Sequence, residues 1–445
     1  MSFRTGGNTR AAETAHAAES THTDRSARPV RGARRSRTAL AAVAAAVLTG
    51  GLAAPQAAAA GARTADTTAV EWFDVTARTV AAAPASTQVT NSRTWAIGWL
   101  AAARATRDVP GGLDRGQYRR AALASAVHRA LTELVPAQAE QLDAAYARTL
   151  AEIPDGRAED RGAAAGERQA SLLLAERAGD GLDPASVNAP YPVPAAGPGV
   201  WQPTPPALAP ATQYGNRVAE PFALRSQSQF RLPPPPALDS GRYAADLAEV
   251  RAYGAADSTV RSVEQTGTAQ FWYGSSFTLY TEPLRVALTR SSESLAGQAR
   301  LVALFHVASV DTQIATSDSK YAHTRWRPVT AIRTGAIEPD TAWTPLHVTP
   351  AHPDYPSGHG TYSGSAEGVL TALSGARTAP FELTSPTAPG VTRTYTTWRQ
   401  LSAENVDARV WSGIHTRSAD EAGIALGRTV ARYVLERQGE LLAAR

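Results

Sequence analysis

From Trp95 onward the chain keeps returning to one pattern, alanine-rich segments with apolar residues three and four positions apart. That spacing lines residues along one face of a helix and does not suit a pleated strand. It predicts helices over Trp95–Arg104, Tyr118–Leu134, Gln138–Ile153 and Ser171–Arg177, with Ile153-Pro154-Asp155-Gly156 as a break. Further helices are predicted over Tyr243–Val250, Thr259–Tyr273 and the strongly apolar Leu295–Ile314. No convincing period-two pattern and no internal repeat stands out, so the expected fold class is all-α. The length suits a large helical core or two packed four-helix bundles.

Between Asp183 and Pro236 the character changes to Pro- and Gly-rich sequence, including Pro233-Pro234-Pro235-Pro236. A structureless connection this long is uncommon inside a compact domain, and a linker between two domains is one reading. The stretch also carries Trp201, Tyr214, Phe222 and Phe230, and disordered linkers seldom hold aromatics. The expectation is therefore an ordered strap at about 183–236, lying over the helices of a single domain spanning 61–445.

Residues 1–60 read as a signal peptide. The segment is polar and Arg-rich to Arg37, then runs through Ala, Val and Leu from Ala39 to Leu52, and ends in small residues at Ala57 to Ala60. The apolar run is too short to span a bilayer. Arg34-Arg35 hints at the twin-arginine route, with Sec export also open. Export to the outside and a mature N-terminus near Gly61 are expected. Eight arginines against Glu13, Glu19 and Asp24 account for the formal charge of +4, and the remainder carries about −1. The basicity therefore makes no case for a nucleic-acid partner or for an anionic membrane. The chain has no cysteine, which excludes disulfides and thiolate chemistry. Methionine occurs only at position 1. The near-absence of the two most easily oxidised residue types suits a protein that makes an oxidant, although compositional drift is the plainer explanation.

Lysine occurs once, at Lys320, while every other basic side chain is arginine. An ammonium is a compact point charge and a guanidinium a planar fork, so arginine would not substitute for it where the point charge matters. Downstream come Arg327-Pro328, then Pro356-Ser357-Gly358-His359, then Arg409 and His415. Ser357 suits the N-cap of a helix whose stripe is Ala366, Val369, Leu370 and Leu373. Gly358 and His359 would then offer backbone N–H groups at the positive end of that helix, a natural anion site. One ammonium, two guanidinium forks, a hydroxyl, a helix start and two imidazoles suit a tetrahedral oxyanion.

These blocks resemble the signature of the vanadium-dependent haloperoxidase and type 2 phosphatidic acid phosphatase superfamily, in its bacterial secreted haloperoxidase-like branch. Lys320 through Pro328, His352 through His359, and Ala408-Arg409 through His415 carry the resemblance. Leu142–Gly181 and Phe222–Trp272 also read like members of that branch. The resemblance implies an all-α helical bundle of that type with the anion site at its heart. It implies vanadate as cofactor, or phosphate, held by Lys320, Arg327, Ser357, Gly358, Arg409 and His415. His415 would be the axial vanadium ligand, or the phosphorylated nucleophile of a phosphatase. His359 would be the acid-base group, with Lys320 assisting catalysis. His352 stands where chloroperoxidases carry a bulky aromatic, and resembles the bromoperoxidases; it is the halide-selectivity candidate. The family often has Ser before the final Arg and Asp four residues after the last His, where this chain has Ala408 and Ala419, with Asp420 one later.

Three functions follow from this reading. The first is a vanadate-dependent haloperoxidase that uses hydrogen peroxide to oxidise a halide, bromide favoured, giving hypohalous acid or halogenated small organic molecules. The second is a secreted acid phosphatase working through a phosphohistidine. The third is a non-enzymatic anion-binding protein. Mature length and the lack of a membrane-spanning stretch favour the first, and no haem motif accompanies the histidines. The oligomeric state is left open, a homo-oligomer included, as are partners for the acids Asp311 and Asp318.

Overall fold

A computed structural model describes residues 66–83 and 87–444. The predicted leader at 1–60 lies outside the described residues. The chain begins with α1 (Thr68–Ala81), α2 (Gln88–Arg107), α3 (Arg115–Leu134), α4 (Ala139–Ala151) and α5 (Arg157–Glu176). A short turn of helix, α6 (Pro184–Val187), opens the irregular stretch. Then follow α7 (Gly241–Gly254), α8 (Val263–Phe271), α9 (Ser276–Thr289), α10 (Leu295–His323) and α11 (Pro328–Thr334). The C-terminal part holds α12 (Gly358–Ser374), strands β1 (Arg377–Ser385) and β2 (Ala388–Thr397), α13 (Trp398–Trp411), α14 (Arg417–Glu436) and α15 (Gln438–Leu441). Among the described residues the protein is all-α apart from one hairpin. Among the described residues no helix is long and apolar enough to cross a membrane.

The central element is α10. Its 29 residues span roughly 44 Å, and most of them are buried, apolar in the first half and polar in the second, where Asp311, Asp318 and Lys320 lie. One side packs on α2, which itself packs on α3 and α5. Another side packs on α12 and α14. Thus α10 belongs to two helical layers at once, and its C-terminal end lies where the second layer begins.

The hairpin corrects the expectation of no strand. β1 and β2 pair antiparallel, with Phe381 opposite Tyr395 and Leu383 opposite Arg393. Phe381, Leu383 and Ser385 alternate inward along β1 with exposed Glu382 and Thr384 between them. The inward set is short and ends in a hydroxyl, so its period-two signal is weak against the helical background.

Residues 183–236 run largely without regular structure and are fastened to α10. The buried carboxylate of Asp311 accepts the N–H groups of Phe222, Ala223 and Leu224 at 2.7, 2.8 and 3.0 Å. Asp318 accepts both arms of Arg231, at 2.7 and 2.6 Å. The Ser319 hydroxyl accepts from Leu232 N–H at 3.2 Å, and the Tyr321 hydroxyl donates to the Thr212 carbonyl. Asp311 and Asp318, without partners in the sequence reading, are therefore the anchors of this stretch.

Candidate functional site

The end of α10 explains how Lys320 and Arg327 meet. Helix α10 stops at His323, and Thr324 takes left-handed backbone (φ +49°) with its N–H bonded to the Lys320 carbonyl at 2.8 Å. The chain reverses, and Arg327 becomes the residue just before α11, with Pro328 in its first turn. Proline is suited there because its missing N–H has no intrahelical partner to lose. Both side chains are fully buried. Lys320 Nζ donates to the Pro353 carbonyl at 2.7 Å and to that of Asp354 at 3.2 Å. Arg327 donates through Nε to the His352 carbonyl (2.6 Å) and through Nη1 to that of Ile414 (2.6 Å). Its Nη2 donates to His352 Nδ1 at 2.9 Å, which leaves the His352 proton on Nε2.

Arg409 lies in the last turn of α13, and His415 two residues before α14. The turn between them passes through Gly413 at φ +76°, a conformation that favours glycine. His415 is buried, and its Nδ1 donates to Asp354 Oδ1 at 2.5 Å. Thr416 Oγ1 donates to the other Asp354 oxygen at 2.8 Å. A carboxylate on Nδ1 sets the tautomer and leaves the lone pair on Nε2. Arg327 Nη1 approaches that nitrogen at 3.0 Å. Arg409 Nη1 donates to the Trp272 carbonyl at 3.2 Å, while its buried Nε has no hydrogen-bond acceptor.

Helix α12 supplies the third block. Ser357 caps it, accepting the Gly360 N–H at 3.2 Å. The first N–H groups of a helix have no intrahelical acceptor, so those of Gly358 and His359 face outward from the helix start. Gly358 stands beside Lys320: a Cβ there would lie 4.0 Å from Lys320 Cε. The helix start is held by glycine contacts with α14. A Cβ at Gly360 would come within 2.7 Å of the Asp420 carbonyl, and one at Gly423 within 2.8 Å of the Ser357 carbonyl. The two backbones touch, which brings Asp420 to the site. His359 is half-buried, and its Nε2 donates to the Gly274 carbonyl at 2.9 Å, so Nδ1 is its basic end.

Burial dominates the electrostatics. It drives Lys320 well below its ordinary value, with Arg327 adding to the effect. It lowers Arg327 and Arg409 to about 10. Burial raises Asp354 to about 6 against the pull of Arg327, and raises Asp420 well above the carboxylate range against the pull of Ser357 and Arg409. His352, His359 and His415 are all pushed well below 6.5, first by burial and then by the surrounding cations. Three basic groups thus face two acids, and burial pushes all five toward their neutral forms. The set is short of negative charge and rich in donors.

That imbalance fits an oxyanion. The acceptor-free Nε of Arg409, the outward N–H groups of Gly358 and His359, and the Nε2 lone pair of His415 are the groups a tetrahedral metal oxyanion would use. All seven site residues expected from the sequence, with His352, come together. Asp354, Thr416 and the Gly274 carbonyl were missed, and Asp420 was noted only as an acid standing one position late. Asp354 sits inside the His352–His359 block, and a carboxylate two residues from a motif histidine was the signal to follow.

Comparisons with known proteins bear on the fold and on the C-terminal bundle. A family model described as the VCPO second helical-bundle domain matches residues 300–443. Vanadium chloroperoxidase of Curvularia inaequalis is 26% identical over 275 residues, covering 46% of this chain and 44% of that protein. The chain thus matches less than half the length of this curated relative. Among solved structures, the first bacterial vanadium-dependent iodoperoxidase superposes with a TM-score of 0.67 at 23% identity, covering 82% of this chain and 96% of that one. The apo form of a bacterial vanadium-dependent chloroperoxidase gives 0.62 at 17% identity, covering 80% and 94%. These likenesses show the fold. The matched C-terminal bundle contains every residue of the cationic cage, and over it the chain is similar to the vanadium haloperoxidases.

Proposed function

We propose that the protein is a vanadate-dependent haloperoxidase that oxidises bromide in preference to chloride with hydrogen peroxide. The observation that carries the proposal is the Asp354–His415 pair. It holds an imidazole whose Nε2 lone pair is turned into the cage of Lys320, Arg327 and Arg409, where it accepts from Arg327 Nη1 at 3.0 Å. His415 would bond the vanadium, and Lys320, Arg327, Arg409 and the start of α12 would bind the vanadate oxygens. Bound vanadate supplies a Lewis-acid centre that activates peroxide toward halide.

The chain's own residues do the rest. His359 is neutral near pH 7, with Nε2–H committed to Gly274, so Nδ1 can accept a proton from incoming peroxide. Lys320 and the arginines balance the negative charge that no protein acid could tolerate in their place. His352 is neutral, and its Nδ1 is engaged by Arg327. Its Nε2–H is a compact donor beside the site where a bulky aromatic would fill space, which supports the bromide preference. We further propose that residues 61–445 work as one domain, exported by the leader and cleaved near Gly61. Mass spectrometry of protein from the culture medium checks the cleavage, and an intact Met1 on exported protein contradicts it.

The decisive assay follows brominated phenol dye from peroxide and bromide, using vanadium-free protein with and without orthovanadate. Bromination that appears only with orthovanadate supports the reading. Vanadate-independent hydrolysis of p-nitrophenyl phosphate with no bromination at any pH overturns it.

A further inference from the structure

Beside the cage lies a chamber of about 190 Å³. His352, Gly358 and His359 form the wall it shares with the site, and the lining includes Gln88, Gln213 and Gln313. Lys320, Arg327, Arg409 and His415 do not line it, nor does any carboxylate. A ligand there meets amides, hydroxyls and neutral imidazoles, so recognition of a charged molecule has no counter-charge to work with. The volume exceeds the roughly 150 Å³ of an engineered cavity known to hold benzene.

The amides are oriented by bonds on their outer ends. Gln88 Oε1 accepts the Phe277 N–H at 3.1 Å, which leaves its NH₂ as the donor end. Gln313 Nε2 donates to the Ser309 carbonyl at 3.1 Å, which leaves its Oε1 as the acceptor end. One donor and one acceptor match a phenolic hydroxyl, which both accepts and donates. Gln213 reaches the chamber from the strap in left-handed backbone, φ +63°, uncommon for a residue other than glycine. Two hydrogen bonds flank it. Gln213 N–H donates to Asn188 Oδ1 at 3.1 Å, and the neighbouring Thr212 N–H donates to the Ala351 carbonyl, next to His352, at 2.8 Å. Strained backbone held from several sides is a known mark of a ligand contact.

We propose that this chamber is a binding site for a neutral, phenol-sized aromatic molecule, held against His352 and His359. What happens to that molecule rests on the haloperoxidase reading. Hypohalous acid made at the cage would halogenate the ring in place. A ring carbon pair forms the carbon–halogen bond, the oxygen–halogen bond breaks, and the hydroxide released combines with the displaced ring proton as water. The binding itself does not rest on that reading.

The test separates the two. Phenol, benzoate and benzylammonium are titrated into the full-length protein by calorimetry at pH 8, without peroxide or halide. Phenol should bind and the two ions should not. Gln313→Leu should weaken phenol about tenfold, Gln213→Ala should weaken it, and Gln213→Asn, which tolerates left-handed backbone, should restore part of the loss. Thermal unfolding checks that each variant is folded. Phenol binding without bromination would keep this site and sink the haloperoxidase reading. Vanadate-dependent bromination with no phenol binding, or with binding unchanged in Gln313→Leu and Gln213→Ala, would sink this site and keep the activity.

Discussion

Asp354 does for His415 what no residue on α14 does. The resemblance puts an acid four positions after the last histidine; this chain has Ala419 there, and the carboxylate comes instead from the loop before α12. Replacing Asp354 by Ala should cut vanadate affinity roughly 10–100-fold, the usual effect of losing the partner of a metal-bound histidine. Asp354→Asn keeps an acceptor and should lose less. Calorimetric titration with orthovanadate measures both, and equal affinity in Asp354→Ala and wild type would refute the assignment. The two motif histidines separate in the same way. His415→Ala should lose vanadate affinity and bromination together. His359→Ala should keep affinity near wild type and lose turnover by roughly a hundredfold or more, as expected for a missing acid-base group. Vanadate affinity and initial rates on both variants check this, and a fully active His415→Ala would remove the basis for the whole site. Lys320, Arg327, Arg409 and the histidines were legible in the sequence because each stands in a short local block. Asp354 was harder to see because its partner is 61 residues away. The Gly274 carbonyl was not legible, since a backbone oxygen has no residue type to betray it.

At the scale of elements, spacing identified most of the long helices, and the physical reasons for the misses are specific. Helix α9 contains Pro283, which reads as a breaker. The ends of α5 and α10 run beyond the apolar stripe that signalled them, because capping and packing, not periodicity, decide where a helix stops. Within α10, His306 stacks on Trp95 with ring centroids 4.7 Å apart, and packs against Phe277 and Phe305. Burial alone pushes it down to about 3. The unfolded chain therefore takes up this proton first as pH falls below 6.5, and stability present above that value is lost toward pH 3. Between pH 7 and pH 5 the loss from this one group is roughly 2 kcal/mol. His306→Phe should flatten the acid limb by about that amount in urea unfolding at pH 7 and pH 5. An unchanged pH dependence would show that His306 is not held neutral by its surroundings.

For the whole molecule, the cationic cage is a store of unfavourable charge that an oxyanion relieves. Orthovanadate at about a hundred times its dissociation constant should add about 2.7 kcal/mol to folding. Thermal midpoints should rise by several degrees, and excess phosphate should compete with the vanadate for this effect. No shift with either anion would mean that the cage binds neither. The strap carries a different consequence. Phe222, Arg231 and Leu232 meet Asp311, Asp318 and Ser319 in the same order along the chain, so the strap lies along α10 like one side of a zip. Amide hydrogens of Phe222, Ala223 and Leu224 are bonded to a buried carboxylate, not to a neighbouring strand or helix turn. In deuterium exchange they should open as a cooperative unit with that stretch of α10. Residues nearly ninety positions apart would then share one protection factor, and a loop by composition would exchange as slowly as a core helix.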